Sequence, residues 1–209
     1  MKRLFAFAAM LVLFGEGATR AEPFSLTGGQ IVPLGSKGLE AGVGYPGLYG
    51  AFHLPISEKF EVAPKFAFYY GWDTHAPAVG NLLGVVMKYN LISGPALNLS
   101  FLMEPGFMFF YHPGTEIAVV IGGPGVVLSY TMEEKFHLIG GLKMPFGFAV
   151  HPSFSGMIPI LFVMGAEFSI SPNMNLFMNA QIGPDIIATE GGSSAQFSPN
   201  FYMGISYLL

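Results

Sequence analysis

The charged side chains of this 209-residue chain are the residues whose types and spacing could do chemistry. They make up only 11% of the chain, against about 25% in an ordinary soluble domain. Seven of them share the polar face of segments in which polar and apolar residues alternate: Glu61, Lys65, Lys88, Glu104, Lys143, Glu167 and Asp185. Three are cations and four are anions. This mixture predicts an internal belt of ion pairs, and a polar lining for a narrow conduit is the alternative.

Histidines are the other candidates, as metal ligands. His75, His112 and His151 lie in or near the longer connections, and Asp73 and Glu116 are close to them in sequence. Imidazole and carboxylate are common metal ligands, but such scattered spacing is more typical of polar residues at an interface. We therefore predict no metal and no cofactor. The remaining two histidines are expected to face inward and to form hydrogen bonds: His53 and His137.

Nucleophilic catalysis has one local candidate, His151-Pro152-Ser153. A serine nucleophile needs a base within hydrogen-bond reach and an acid that orients the base. No such acid is identifiable from the sequence, so we predict that the chain is not an enzyme. A hydrolase or acyltransferase that modifies membrane lipid is the alternative.

The first 21 residues have the pattern of a secretory signal peptide. Met1-Lys2-Arg3 is a positive start, Leu4 to Phe14 is an unbroken apolar run of 11 residues, and small residues precede the expected cleavage site. The apolar run is shorter than the about 20 residues of a membrane-spanning helix. We predict cleavage after Ala21, with Ala18 as the alternative, and a single domain over 22–209.

Charge and cysteine content exclude several kinds of partner. Three of the nine basic residues and one of the thirteen acidic residues lie in the signal segment, which leaves a net charge of about −6. Nothing in the remainder resembles a basic stripe, so we predict no nucleic-acid partner. The chain has no cysteine, which excludes disulfides, thiolate metal sites and a lipidated cysteine.

The remaining composition indicates a protein that crosses a membrane with strands. Apolar residues make up 52% of the chain, yet no later stretch offers 18 apolar residues without Pro, Gly clusters or charges, which argues against helical spans. From residue 59, Glu61 and Lys65 share one face while Phe66 and Phe68 share the other. Such alternations run for about 12 to 16 residues, whereas strands of a soluble sandwich average about 5–6. That length suits tilted strands in a bilayer.

Tight polar turns then determine the strand count. They lie about 36 to 40 residues apart, which is the spacing of a repeated two-stranded hairpin. They predict strands at 47–56, 59–72, 79–92, 96–111, 116–132, 135–150, 157–170, 174–188 and 196–209. A bacterial barrel has an even number of strands, so one more is needed, within 27–35 or 38–45. We predict an all-β, closed, antiparallel transmembrane β-barrel of about ten strands, with eight or twelve as alternatives.

The predicted strands carry two further markers. Tyr70, Trp72 and Tyr111 end series that begin with Phe, as in an interfacial aromatic girdle. In the last strand apolar residues alternate up to the end of the chain: Phe201, Met203, Ile205, Tyr207 and Leu209. This strand resembles the C-terminal targeting strand of bacterial outer-membrane proteins, although Leu209 stands where that pattern usually ends in Phe. The resemblance covers about 38–209 and implies a small outer-membrane β-barrel that the barrel-assembly machinery inserts.

These features together predict export to the outer membrane of a Gram-negative cell, among outer-membrane lipid and lipopolysaccharide. We expect a structural or interaction role in the cell envelope, with a lumen filled by charged side chains. A narrow, porin-like pore or transporter for small solutes is the alternative function, and a lipid-modifying enzyme is a further one.

Overall fold

The computed structural model describes residues 24–71, 79–112, 114–133, 135–189 and 191–209. The predicted signal peptide, Trp72, Asp73 and His75 lie outside these ranges. Within them one sheet contains fourteen strands: β1 (Gly38–Tyr45), β2 (Gly47–Ser57), β3 (Phe60–Tyr69), β4 (Val79–Ile92), β5 (Leu97–Met103), β6 (Gly106–His112), β7 (Glu116–Val120), β8 (Gly125–Glu133), β9 (Phe136–Lys143), β10 (Gly147–His151), β11 (Ser155–Pro159), β12 (Leu161–Ser171), β13 (Met174–Thr189) and β14 (Gly192–Leu208). No helix in these ranges is long and apolar enough to cross a membrane.

These strands make ten spans, because four pairs are the halves of interrupted strands: β5 with β6, β7 with β8, β9 with β10, and β11 with β12. Neighbouring strands are antiparallel, and β1 pairs with β14 from Gly38 opposite Leu208 to Tyr45 opposite Phe201. β4 pairs with both β5 and β6, and β13 with both β11 and β12, so the described sheet closes on itself. This confirms the predicted closed antiparallel barrel, the count of ten and 38–45 as the first strand.

Four strands that we predicted as continuous are interrupted: 96–111, 116–132, 135–150 and 157–170. Single backbone hydrogen bonds bridge the gaps, from Val85 N to Pro105 O at 2.9 Å and from Met144 N to Pro124 O at 3.2 Å. Proline has no N–H to donate to a sheet, and Gly122 has a φ of +77° that other residues rarely adopt. These local features explain the breaks. We call the interruptions the kink belt: 104–105, 121–124, 144–146 and 160.

Three strand ends also differ from the prediction. β3 ends at Tyr69, so Tyr70 follows the strand, and β11 begins at Ser155 rather than at 157. β14 begins at Gly192 rather than at 196, because Thr189 and Gly192 form the last pair of the β13–β14 ladder. The φ of +135° at Gly192 permits this tight hairpin. The gap that we predicted between the strands 174–188 and 196–209 is therefore wrong.

The barrel has an apolar outside and an inside of mixed polar and apolar side chains. Among the side chains that the structure describes, the exposed charges lie at turns or chain ends: Lys37, Glu58, Lys59 and Lys135. A charge that faces lipid at mid-bilayer costs about 2–4 kcal/mol, so this distribution suits a membrane-spanning wall. We call the end with the turns before β3, β5, β9 and β13 the tight-turn end, and the opposite end the loop end.

Aromatic residues lie near both ends of the outer face. Tyr70 and Tyr111 are exposed at the loop end, where Asn81 Nδ2 donates a hydrogen bond of 2.7 Å to the Tyr111 hydroxyl. Tyr89 and Tyr130 are exposed near the tight-turn end, and our sequence analysis did not single them out. The alternating residues at the C-terminus face outward, exposed except for the half-buried Tyr207: Phe201, Met203, Ile205, Tyr207 and Leu209.

Candidate functional site

The lumen at the tight-turn end is filled by the chain's own N-terminal segment. Residues 24–32, which we call the plug, form turns and irregular structure ahead of β1. Phe24, Leu26 and Val32 are buried and pack with Leu208 of β14. A first strand within 27–35, which the sequence analysis left open, is therefore wrong. The reason is that the polar groups of this backbone bond to side chains of the barrel wall instead of a neighbouring strand.

Buried side chains from several strands hold the backbone of the plug. Asn175 Nδ2 donates to Phe24 O at 2.5 Å. Gly29 O accepts hydrogen bonds from Asn90 Nδ2 at 2.9 Å and from Ser100 Oγ at 2.7 Å. Buried carbonyl groups that lacked such partners would destabilise the docked segment. The wall thus carries polar groups that match the backbone of the plug.

Close approach of the plug to the wall requires glycine at two positions. A Cβ atom on Gly28 would lie 2.6 Å from Ser129 Cβ, and one on Gly29 would lie 2.4 Å from Asn98 O. Real Cβ atoms essentially never come this close to other heavy atoms. The Gly28-Gly29 pair therefore lets the plug reach the strand backbone.

Lys88 is the central cation of the plugged end. Its Nζ lies 2.9 Å from Leu26 O, 3.0 Å from Gln30 O and 3.1 Å from Glu61 Oε1, and the side chain is only 3% exposed. An ammonium group has three N–H donors. These three contacts satisfy all of them, and two of the three are with the plug.

Glu61 joins the plug to a buried histidine. Its Oε2 accepts a hydrogen bond of 2.8 Å from Val32 N, and its Oε1 lies 2.8 Å from His53 Nδ1. The other ring nitrogen of His53 lies 3.3 Å from Glu40 Oε2. Because the two carboxylates contact opposite nitrogens of one ring, the three residues form a chain of polar contacts rather than a shared metal-ligand set.

Glu167 and His137 complete the tight-turn end. Glu167 is fully buried, and its Oε1 accepts hydrogen bonds from Thr27 N at 3.0 Å and from Thr27 Oγ1 at 2.5 Å. His137 is also buried, and its Nδ1 lies 3.0 Å from Thr131 Oγ1. Both predicted inward-facing histidines thus make polar contacts inside the barrel. Glu167 serves the plug as an acceptor.

A second network lies at the level of the kink belt. Glu104 Oε1 lies 2.6 Å from Lys143 Nζ, and Glu104 Oε2 lies 3.4 Å from Lys65 Nζ. The Lys65 ammonium also lies 5.0 Å from the centre of the Tyr49 ring, within the range of a cation–π contact. The Tyr49 hydroxyl in turn donates to Glu40 Oε1 at 2.5 Å. We call Lys65, Glu104 and Lys143 the upper network.

Two cavities lie between the plug and the loop end. The inner one, of about 140 Å³, borders the plug at Leu26 and Thr27 and contains the upper network in its wall. The outer one, of about 380 Å³, reaches Glu116 and Gln196 near the loop end. Three apolar side chains belong to the walls of both cavities and mark the constriction between them: Met108, Val120 and Met157. The lumen is therefore stepped, with the plug as its floor.

The structure divides the seven predicted belt residues into groups. Glu61, Lys88 and Glu167 contact the plug, and Lys65, Glu104 and Lys143 form the upper network. Asp185 is buried apart from both groups, in the wall of the inner cavity.

Two parts of the site were missed by sequence reasoning. Glu40 could have been found, because it alternates with the apolar residues of the 38–45 candidate. The plug had no periodic signal, since its residues depend on contacts with strands far along the chain.

The remaining candidates are the possible metal ligands and the His151-Pro152-Ser153 segment. Among the described residues no group of three or more His, Cys, Asp or Glu side chains could hold a metal ion. His151 is the last residue of β10, and Pro152 and Ser153 follow it. All three are exposed at the loop end. Glu116 lies at the start of β7, half-buried.

Comparisons with known proteins concern the fold. No protein-family model matches the chain, and no curated protein sequence matches it. The chain is similar to the crystal structure of the outer membrane protease OmpT from Escherichia coli, at 10% identity and a TM-score of 0.49, over 83% of this chain and 93% of that one. It is also similar to in-vitro folded OmpT, an outer membrane protein of Vibrio cholerae, at 11% identity and a TM-score of 0.37, over 86% of this chain and 62% of that one.

The first of these structures corrects one prediction. It is a protease, and our prediction that the chain is not an enzyme is therefore withdrawn. An identity of 10% transfers no activity to this chain. The assignment of the fold rests on the barrel itself, with ten antiparallel spans, an apolar outer face and, among the described side chains, exposed charges only at turns and ends. In its fold the chain is an outer-membrane β-barrel.

Proposed function

We propose that the protein is exported through a cleaved signal peptide at 1–21 and acts in the bacterial outer membrane as a barrel with a blind lumen, in a structural or interaction role. One observation carries this proposal: residues 24–32 occupy the tight-turn end and bond to buried wall residues. A continuous aqueous path through the barrel would require the plug to leave the lumen.

The contacts of the plug favour a closed ground state. Lys88 has all three donors satisfied, and both oxygens of Glu61 are engaged. Displacing the plug would remove two of the three acceptors of Lys88 and the Val32 N–H that Glu61 binds, and buried polar groups that lose hydrogen-bond partners are destabilising. Charge pairs that could have lined a conduit therefore serve as attachments.

The proposed surroundings follow from the outer face and the chain end. The apolar wall would contact outer-membrane lipid, and lipopolysaccharide would surround the loop end. The C-terminal strand would be recognised by the barrel-assembly machinery during insertion. Because the described connections between strands are short, a partner would bind at the rim of the barrel rather than to an extended loop.

Planar-bilayer recording of the refolded full chain tests the blind lumen. We expect no discrete openings from the full chain, and small, discrete openings from a matched variant that lacks residues 24–32. Heat-modifiable migration on a gel checks that both proteins are folded barrels. Openings from the full chain would contradict the proposal in favour of a pore, and a silent deletion variant would show that the plug is not what closes the lumen.

A further inference from the structure

The upper network differs from the plugged end in one respect that concerns ligands. Two ammonium groups, those of Lys65 and Lys143, share the single carboxylate of Glu104. These side chains are 20%, 15% and 21% exposed, whereas the paired Lys88 and Glu61 are 3% and 1% exposed. Cations therefore outnumber anions by one within the upper network.

The ammonium groups also have donor capacity to spare. Within the described part of the chain, the hydrogen bond of each goes to Glu104, at 3.4 Å for Lys65 and 2.6 Å for Lys143. An ammonium group can donate three. Asp185 and Glu40 also line the inner cavity, but neither forms an ion pair with Lys65 or Lys143 among the described residues. A monoanion between the two lysines would balance the excess positive charge of the upper network and accept hydrogen bonds from the remaining N–H donors.

Apolar side chains border the passage from the network to the outer cavity. Met108 and Val120 form the constriction, and the outer cavity beyond it is lined by Phe110, Ala118 and Ala149. A cavity of about 150 Å³ holds a molecule of the size of benzene. The inner cavity thus has room for a carboxylate and a few carbon atoms. The outer cavity has room for the rest of a narrow hydrocarbon chain.

We propose that the lumen binds a small amphiphilic carboxylate, such as a medium-chain fatty acid, with its head group between Lys65 and Lys143 and its hydrocarbon directed past Met108 and Val120. The inference rests on the proposed blind lumen, in which the plug forms the floor of the site. A cationic ligand is disfavoured because Glu104 is already paired with two lysines.

Calorimetric titration of the purified protein in a nonionic detergent with octanoate tests the proposal, with octanol as the uncharged comparison. We expect saturable binding of octanoate, at least about 10-fold tighter than binding of octanol, since one charge contact is worth about this much in a partly screened site. The variant Lys143→Met is expected to weaken octanoate binding about 10-fold. Lys59→Met, at an exposed turn, is the matched control and should leave binding unchanged.

Glu104→Gln provides the sharper test, because it removes the carboxylate that competes for the lysines. We expect it to tighten octanoate binding about 10-fold and to leave octanol binding unchanged. A purely structural ion pair would not yield tighter binding when it is broken. Lys65→Met reports on the head group from the other side if Lys143→Met fails to show heat-modifiable migration.

The outcomes separate this inference from the proposed function. Equal affinities for octanoate and octanol, or octanoate binding that Glu104→Gln does not strengthen, would overturn the carboxylate site. Binding that is identical in all variants would indicate partition into detergent and would overturn it as well. Because conductance is measured independently, a silent bilayer with no octanoate binding would refute the site and leave the blind lumen standing.

Discussion

Replacement of Lys88 by methionine should release the plug. Methionine keeps most of the length of the side chain but has no charge and no donor. In the docked state Glu61 would lose its ammonium partner at 3.1 Å, and the carbonyls of Leu26 and Gln30 would lose their hydrogen bonds of 2.9 and 3.0 Å. In the released state all three groups regain water. The whole cost therefore falls on docking.

Breaking a buried ion pair by removal of one partner costs about 3–5 kcal/mol. Each 1.4 kcal/mol is a factor of ten in an equilibrium, so the released population should rise by roughly 100-fold or more. The barrel wall itself should persist, because its ladders do not involve this side chain. We expect the variant to keep its heat-modifiable migration on a gel.

A single cysteine reports the release, since the chain has none of its own. Val32→Cys is suitable because Val32 is 2% exposed and its contact with Glu61 is made by the backbone N–H. We expect a water-soluble maleimide to label Val32→Cys roughly 100-fold faster when Lys88→Met is also present. Lys65→Met is the matched control, since Lys65 belongs to the upper network. Equal labelling rates with and without Lys88→Met would refute the assigned role of Lys88.

Two further substitutions test the packing of the lumen. Gly29→Ala should raise the maleimide labelling of Val32→Cys as Lys88→Met does, because the added Cβ would lie 2.4 Å from Asn98 O. Gly156→Ala, which has open space around its Cβ, is the control. Equal labelling rates in the two variants would count against the close fit of the plug. Phe177→Ala should lower the free energy of unfolding in urea by about 3–5 kcal/mol, since this ring is 2% exposed inside the barrel. Met178→Ala, on the outer face of the same strand at 64% exposure, should change it far less, and similar losses at both positions would show that the faces are assigned wrongly.

The barrel was predictable because its evidence is local. Alternation in β3 separates Glu61 and Lys65 from Phe66 and Phe68 whatever the neighbouring strands are. An even strand count then required one more strand, within 27–35 or 38–45, and the structure places it at Gly38–Tyr45. The interruptions of the kink belt were not predicted. A segment that contains a proline shows the same alternation of side chains whether or not the hydrogen-bond ladder is broken there.

The charged residues show where local evidence ends. Their inward direction follows from the period of the strand, but their partners do not. Lys88 and Lys143 look alike in sequence, each within an alternating segment, yet Lys88 donates to the backbone of the plug and Lys143 pairs with Glu104 in the upper network. Height along the barrel, which depends on the stagger between strands, determines this difference.

The sequence by itself determined which segments span the wall and which of their faces is polar, and it favoured ten spans, because these features depend on residues close together in the chain. Only the tertiary structure determined what fills the lumen. The plug has no period to read, and Thr27 meets Glu167 across 140 positions of sequence. Such contacts exist only once the barrel has closed and brought its far strands around the N-terminal segment.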